Sequence, residues 1–261
     1  MGLTLADFDR NGLPDLHVTN YWDQEADLYL QGDDAIFRHS SRPRKIRESS
    51  KSTVGWGTQA ADFDRDGRPD LMVLNGHIVN HTHRGVPFRM LPQLYQGHDD
   101  HFELVSSPSN ADLRQADGFW SQPTLGRALA VLDWDQDGMP DVVGNHLDQP
   151  MELLINESDQ QSWLQLELVG TTSERDAVGA TVQVQSGAKR WTNWVINGGF
   201  LTSNEAALDF GLGNSVGPCT VTIQWPSGAE QIIENVPLNH RYLVIEQEST
   251  VPWSRQNHSR K

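Results

Sequence analysis

Apolar residues come in short runs along the whole chain, and no stretch sustains a 3.6-residue period. In the first part the runs are β-branched or leucine-rich and bounded by Gly, Asn or Pro, which predicts strands. They recur in order. "GLTLADF" (2–8), "TQAADF" (58–63) and "GRALAVLDW" (126–134) are each followed by a second run, "DLHVTNY" (15–21), "DLMVLNG" (70–76) and "DVVGNHL" (141–147). A third run follows each time, at "ADLYLQGD", "PQLYQGHD" and "PMELLINE", and the first two copies add a fourth, "AIFRHSS" and "HFELVSS". Repeats of four antiparallel strands predict the blades of a β-propeller.

Beyond the polar break "NESDQQS" (156–162) the pattern changes to seven alternating segments, from "WLQLELVG" to "RYLVIEQ". Such a series predicts a small β-sandwich. The expected fold class is therefore all-β: a partial β-propeller of about three four-stranded blades, followed by a small β-sandwich. The blades span 2–41, 56–108 and 124–158 within a first unit of 1–158. The sandwich spans 159–248, and 249–261 reads as a flexible polar tail. A propeller ring closes with about 4–8 blades. Three blades imply either the C-terminal part of a longer propeller protein, which supplies the missing blades, or completion by a second subunit.

Between the first and second run of each copy lies an acidic loop: "DFDRNGLPDL" (7–16), "DFDRDGRPDL" (62–71) and "DWDQDGMPDV" (133–142). All fit D-[FW]-D-x-[DN]-G-x-P-D-[LV]. Like charges this close repel one another unless a cation sits among them. Side-chain oxygens at positions 1, 3, 5 and 9 and the carbonyl at position 7 form a hard, flexible ligand set, which favours calcium over magnesium or softer metals. The predicted ligands are Asp7, Asp9, Asn11, the Leu13 carbonyl and Asp15 in loop one. Loop two offers Asp62, Asp64, Asp66, the Arg68 carbonyl and Asp70; loop three offers Asp133, Asp135, Asp137, the Met139 carbonyl and Asp141. Up to three structural Ca2+ ions are expected, with loop one, one carboxylate short, the weakest. These are not EF-hands, because Val18, Val73 and Gly144 stand where that loop ends in Glu, and strands flank it.

The loops also account for much of the charge. Lys+Arg total 20 against Asp+Glu 35, a net −15, and eleven of the acids lie in the loops. Nucleic acid and anionic membrane surfaces are poor partners for such a chain. No apolar run approaches the ~20 residues needed to span a bilayer, so membrane insertion is not expected. No signal peptide is encoded at "MGLTLADFDRNG". Cys219, the single cysteine, lies in the alternating run "CTVTIQW" and reads as a buried thiol.

On these residues the chain resembles the FG-GAP/VCBS repeat family, calcium-loop propeller repeats also found in integrin α-chains; "GWGTQAADFDRDGRPDLMVLNGH" (55–77) is similar to one blade. The later motifs "GGFLTSNE" (198–205), "FGLG" (210–213) and "WPSG" (225–228), with "GA" at 179–180, resemble the ASPIC/UnbV domain of the cartilage acidic protein family. The resemblance implies a secreted or cell-surface, calcium-bound, non-catalytic protein with a role in adhesion or binding, its partner a protein or a glycan.

Three other features of the chain each admit two readings. His77, His81, His83, His98 and His101 gather around one connection and suit zinc or copper, as a secreted hydrolase or its accessory domain would need; a polar loop is the plainer explanation. Trp56 and Trp120 are candidate sugar platforms for a carbohydrate-binding module, or packing residues between blades. The cationic run "SRPRKIRESSK" (41–51) suits an acidic ligand or a solvated connection. No Gly-x-Ser-x-Gly elbow or phosphate-cradling glycine loop is present.

Overall fold

The computed structural model describes residues 1–106, 118–159, 161–196, 198–248 and 251–252. Within them the protein is all-β, five small sheets in a propeller-like arrangement. The first sheet is a meander of β1 (Leu3–Ala6), β2 (Asp15–Val18), β3 (Asp27–Gln31) and β4 (Phe37–His39). A one-turn helix, α1 (Arg47–Ser50), precedes the second meander: β5 (Gly55–Ala61), β6 (Asp70–Asn75), β7 (Gln93–Gly97) and β8 (Phe102–Leu104). The third holds β9 (Gly126–Leu132), β10 (Asp141–His146) and β11 (Glu152–Leu154).

This third sheet has three strands where the repeat predicts four. After β11 the polar stretch Asn156–Asp159 forms no strand. Asn156 is instead drawn into the acidic-loop region, where its side chain donates to the Phe63 carbonyl at 2.8 Å and the Pro140 carbonyl at 3.2 Å.

In every meander the acidic loop joins the first two strands in one register. Ala6 pairs with Asp15, Ala61 with Asp70, and Leu132 with Asp141. The repeated template thus fixes both the loop and the strand pairing that frames it. β1, β5 and β9 lie side by side, which brings the three loops to a common end of the molecule. Apolar clusters fill the gaps between neighbouring sheets. Phe8, Leu28, Leu71, Tyr95 and Phe102 join the first two sheets, and Met72, Leu74, Leu129 and Val142 join the second to the third.

The C-terminal strands are β12 (Ser162–Val169), β13 (Thr181–Ser186), β14 (Lys189–Trp194), β15 (Ala207–Gly213), β16 (Cys219–Gln224), β17 (Glu230–Val236), β18 (His240–Ile245) and β19 (Val251–Pro252). They form two sheets, β15-β12-β18-β19 and β14-β13-β16-β17, with β12 and β18 parallel. Alternating residues from both sheets, including Leu164, Leu166, Phe210, Val182, Val184 and Val221, meet in one buried cluster. Of the polar tail expected at 249–261, only β19 lies within the described residues; the rest falls outside them.

Candidate metal centres

The three acidic loops fold alike, residue by residue. At position 6, Gly12, Gly67 and Gly138 take φ values of 85°, 92° and 90°, a region a side chain would resist. Each glycine N–H donates to Oδ2 of the position-1 aspartate: to Asp7 at 2.8 Å, Asp62 at 2.8 Å and Asp133 at 3.1 Å. The position-5 side chains accept from the backbone two residues on, Asn11 from Leu13, Asp66 from Arg68 and Asp137 from Met139. Asp9, Asp64 and Asp135 accept likewise from position 5. These Asx turns curl the chain around its own carboxylates.

Position 9 has a task besides any metal. Asp15 accepts from the Phe8 and Gln31 N–H groups, Asp70 from Phe63 and Gly97, and Asp141 from Trp134 and Asn156, all within 2.7–2.9 Å. The outer carboxylate therefore ties its own loop to the end of the sheet's third strand. Each oxygen keeps a second lone pair for a cation.

The fit to a cation rests on position 1. Asp7, Asp62 and Asp133 are all more than nine-tenths buried, and in each Oδ1 has no hydrogen-bond partner. Leaving a buried acceptor unsatisfied costs about 1–3 kcal/mol, and more if it is charged. Ligand atoms of Asp7, Asp9 and Asp15 lie within 4.8 Å of one another, as do those of Asp62, Asp64 and Asp66, and those of Asp133, Asp135 and Asp141. Among the described residues these are the groups of three or more acids, His or Cys whose ligand atoms converge.

The electrostatics agree. Burial, with Asp70 close by, pushes the Asp62 carboxyl up to about 9. Burial likewise lifts Asp7 to about 6 and Asp15 to about 7, and Asp70 well above the usual carboxylate range. Asp66, Asp133 and Asp141 move the same way for the same first cause. Without a cation these loops disfavour their own charge; a divalent ion inverts that preference. All the donors are hard oxygens, so the set fits Ca2+.

The C-terminal sheets lie against the loops, a role that sequence reasoning missed. Arg65, at position 4 of loop two, is fully buried and forms a two-pronged ion pair with Asp209 on β15, one prong at 2.8 Å. Gln165 on β12 donates to Asp133 at 3.0 Å and Asp209 at 3.2 Å. The "SNE" of 203–205 runs beside β9: the Glu205 N–H donates to the Val131 carbonyl, Asn204 accepts from the Val131 N–H, and Glu205 accepts from the Asp133 N–H. Asn204 also donates to Gln59 at 2.8 Å, reaching β5. A cavity of about 680 Å3 lies between these parts, and Asp7, Asp62 and Asp133 all line it.

Trp56 donates to the Gly76 carbonyl at 2.7 Å, and its ring is engaged by Arg127 at 4.4 Å and Phe200 at 5.3 Å. Trp120 packs on Phe119. His77, His81 and His83 follow one another with ring centroids 5.4 and 6.0 Å apart, and His98 stacks on His101. Neither set brings three ligand atoms together. The cationic run is largely paired, Arg47 with Glu25, Lys51 with Asp23, and Arg44 with the Asp99 carbonyl. Cys219 is buried, and burial pushes its thiol up to about 11.

Residues 7–73 match the FG-GAP-like repeat family, and residues 170–251 match the ASPIC and UnbV family. The chain is similar to cartilage acidic protein 1 of Mus musculus, 28% identical over 236 residues, covering 87% of this chain and 34% of that protein. Against the Homo sapiens protein of the same name it is 27% identical over 254 residues, 94% of this chain and 35% of that one. It thus spans about a third of the length of these relatives. A shorter stretch is similar to phosphatidylinositol-glycan-specific phospholipase D of Homo sapiens, 32% identical over 124 residues, 44% of this chain and 14% of that protein. The chain carries an FG-GAP-like repeat region followed by an ASPIC and UnbV segment, in the order its motifs indicate.

Proposed function

We propose that the protein is a non-catalytic, calcium-stabilised binding module of a secreted or cell-surface protein. Its first three sheets act as propeller blades and its last two as a β-sandwich. One observation carries this reading: three superposable loops each hold a nine-tenths-buried aspartate with an unpartnered Oδ1 amid other carboxylates. Calcium there offsets the repulsion and pins the first strand of each blade to the second and third.

Further blades complete the ring. Position 2 of the template supports this. Phe8 packs edge-on to Phe102 of the second sheet, and Phe63 packs with the apolar cluster of the third. Trp134, at the same position of loop three, is 60% exposed, and Leu147, Met151 and Leu153 of the same sheet and its connection are exposed too. The adhesion partner, a protein or a glycan, is met through surfaces of the completed ring. Phospholipase activity is not carried over from the partial relative, whose match covers a small share of that enzyme.

The test is thermal unfolding of the full chain with and without EDTA. Chelation lowers Tm by about 5–10 °C, given the mass-action gain from saturating calcium and the slope for a chain of this size. Calcium restores it more fully than magnesium. An identical melt in chelator and in calcium overturns the proposal.

A further inference from the structure

Loop two differs from its two sisters in what surrounds it. Its position-4 side chain, Arg65, is wholly buried against β15, whereas Arg10 and Gln136 at that position in loops one and three are exposed. Its backbone carbonyls are also claimed from outside. Gln161 donates to the Asp64 carbonyl at 3.3 Å, the Gly213 N–H to the Arg65 carbonyl at 3.0 Å, and the Trp191 indole N–H to the Gly67 carbonyl at 3.1 Å. All three donors belong to the C-terminal part of the chain. Gly211 admits the Asp62 carboxylate, since a Cβ there would lie 1.8 Å from Asp62 Oδ2. Two glycines of the "FGLG" motif thus serve this one loop.

The same few residues therefore present carboxylates inward and carbonyls outward. We propose that loop two is a cation-set latch, in which a divalent ion held by Asp62, Asp64 and Asp66 fixes the backbone shape that β14 and β15 grip. This rests on the calcium reading above and adds a regulation to it. Emptying the loop lets three crowded carboxylates move apart, and the carbonyls of Asp64, Arg65 and Gly67 turn away from their donors. Coupling of this kind is reciprocal: the ion tightens the docking, and the docking raises affinity for the ion. At the same position of loop one the packing is open, since a Cβ added at Gly12 would meet Thr192 Oγ1 alone, at 3.6 Å.

Hydrogen exchange on the full chain, with calcium and then with EDTA, tests the latch. Chelation raises exchange across 207–213, the Gly213 amide included, by about fivefold or more. Exchange across 219–236, in the other C-terminal sheet, changes by less than about twofold. Metal analysis of the same samples separates the two ideas. Calcium released with no change at 207–213 overturns the latch alone, while a chain that never binds calcium overturns the latch and the reading beneath it. Trp191→Phe keeps the ring and removes the N–H. Calcium titrated into this variant by calorimetry binds about two- to fivefold more weakly at one site, and an unchanged affinity overturns the reciprocity.

Discussion

Each position-1 aspartate divides its oxygens between two tasks. Oδ2 takes the glycine N–H of position 6 and holds the turn, while Oδ1 faces the other carboxylates without a partner. Position 5 adds charge to the set in loops two and three, where it is Asp66 and Asp137. Replacing either by alanine removes about one bound calcium per chain, to be counted on purified protein by elemental analysis; Asn11→Ala removes less, because loop one starts with the weaker set. A different carboxylate works without any metal. Glu246 is buried and accepts hydrogen bonds from the Thr171, Thr172 and Ser173 N–H groups and from the Ser173 and Ser227 hydroxyls. Burial alone would raise its pKa; the hydrogen bonds, that from Ser227 first, outweigh burial and hold it at about 2. Its folded value lies below the unfolded one, so its stabilisation is present above roughly pH 4.5 and is lost as pH falls towards 2. In Glu246→Gln the urea midpoint is lower at pH 7, and the gap to the parent narrows between pH 4.5 and pH 2.5.

Strands and loops were legible in the sequence because one ten-residue template dictates both. Alternation gives the strand faces, position 6 needs glycine, and position 9 opens the next strand. Seven of the eight C-terminal strands followed from alternation alone; β19 falls in the stretch that reads as a polar tail. What stayed hidden depends on partners distant in sequence. Nothing near "FGLG" or "SNE" says that these residues meet loop two and β9, since the spacing between them is set by the fold and not by a local rule. Trp56 shows the same limit: a tryptophan near a strand start suits either a sugar platform or packing between blades, and only the fold brings Arg127 and Phe200 to its ring. The third copy shows no fourth run in the sequence either, but the bonds of Asn156 to Phe63 and Pro140 only the structure reveals. Gly211→Ala tests the contact between the two halves. With a Cβ 1.8 Å from Asp62 Oδ2, either β15 or loop two must shift. The cost is about 1–3 kcal/mol of stability by urea unfolding.

Across the whole molecule, sheets and loops form one mechanical path: blade to acidic loop, loop to β15, β15 to the shared C-terminal core. The exposed indole of Trp134 gives this arrangement an optical consequence. Its two counterparts are phenylalanines packed against a neighbouring sheet, so the ring closure proposed above would enclose Trp134 as well. Selective excitation of the nine tryptophans, with Trp134→Phe as the subtraction, yields red-shifted, acrylamide-quenched emission from the chain alone. Supplying the adjoining blade moves that component to shorter wavelength and shields it from quencher. A single side chain left bare thereby becomes a built-in gauge of when the circle is whole.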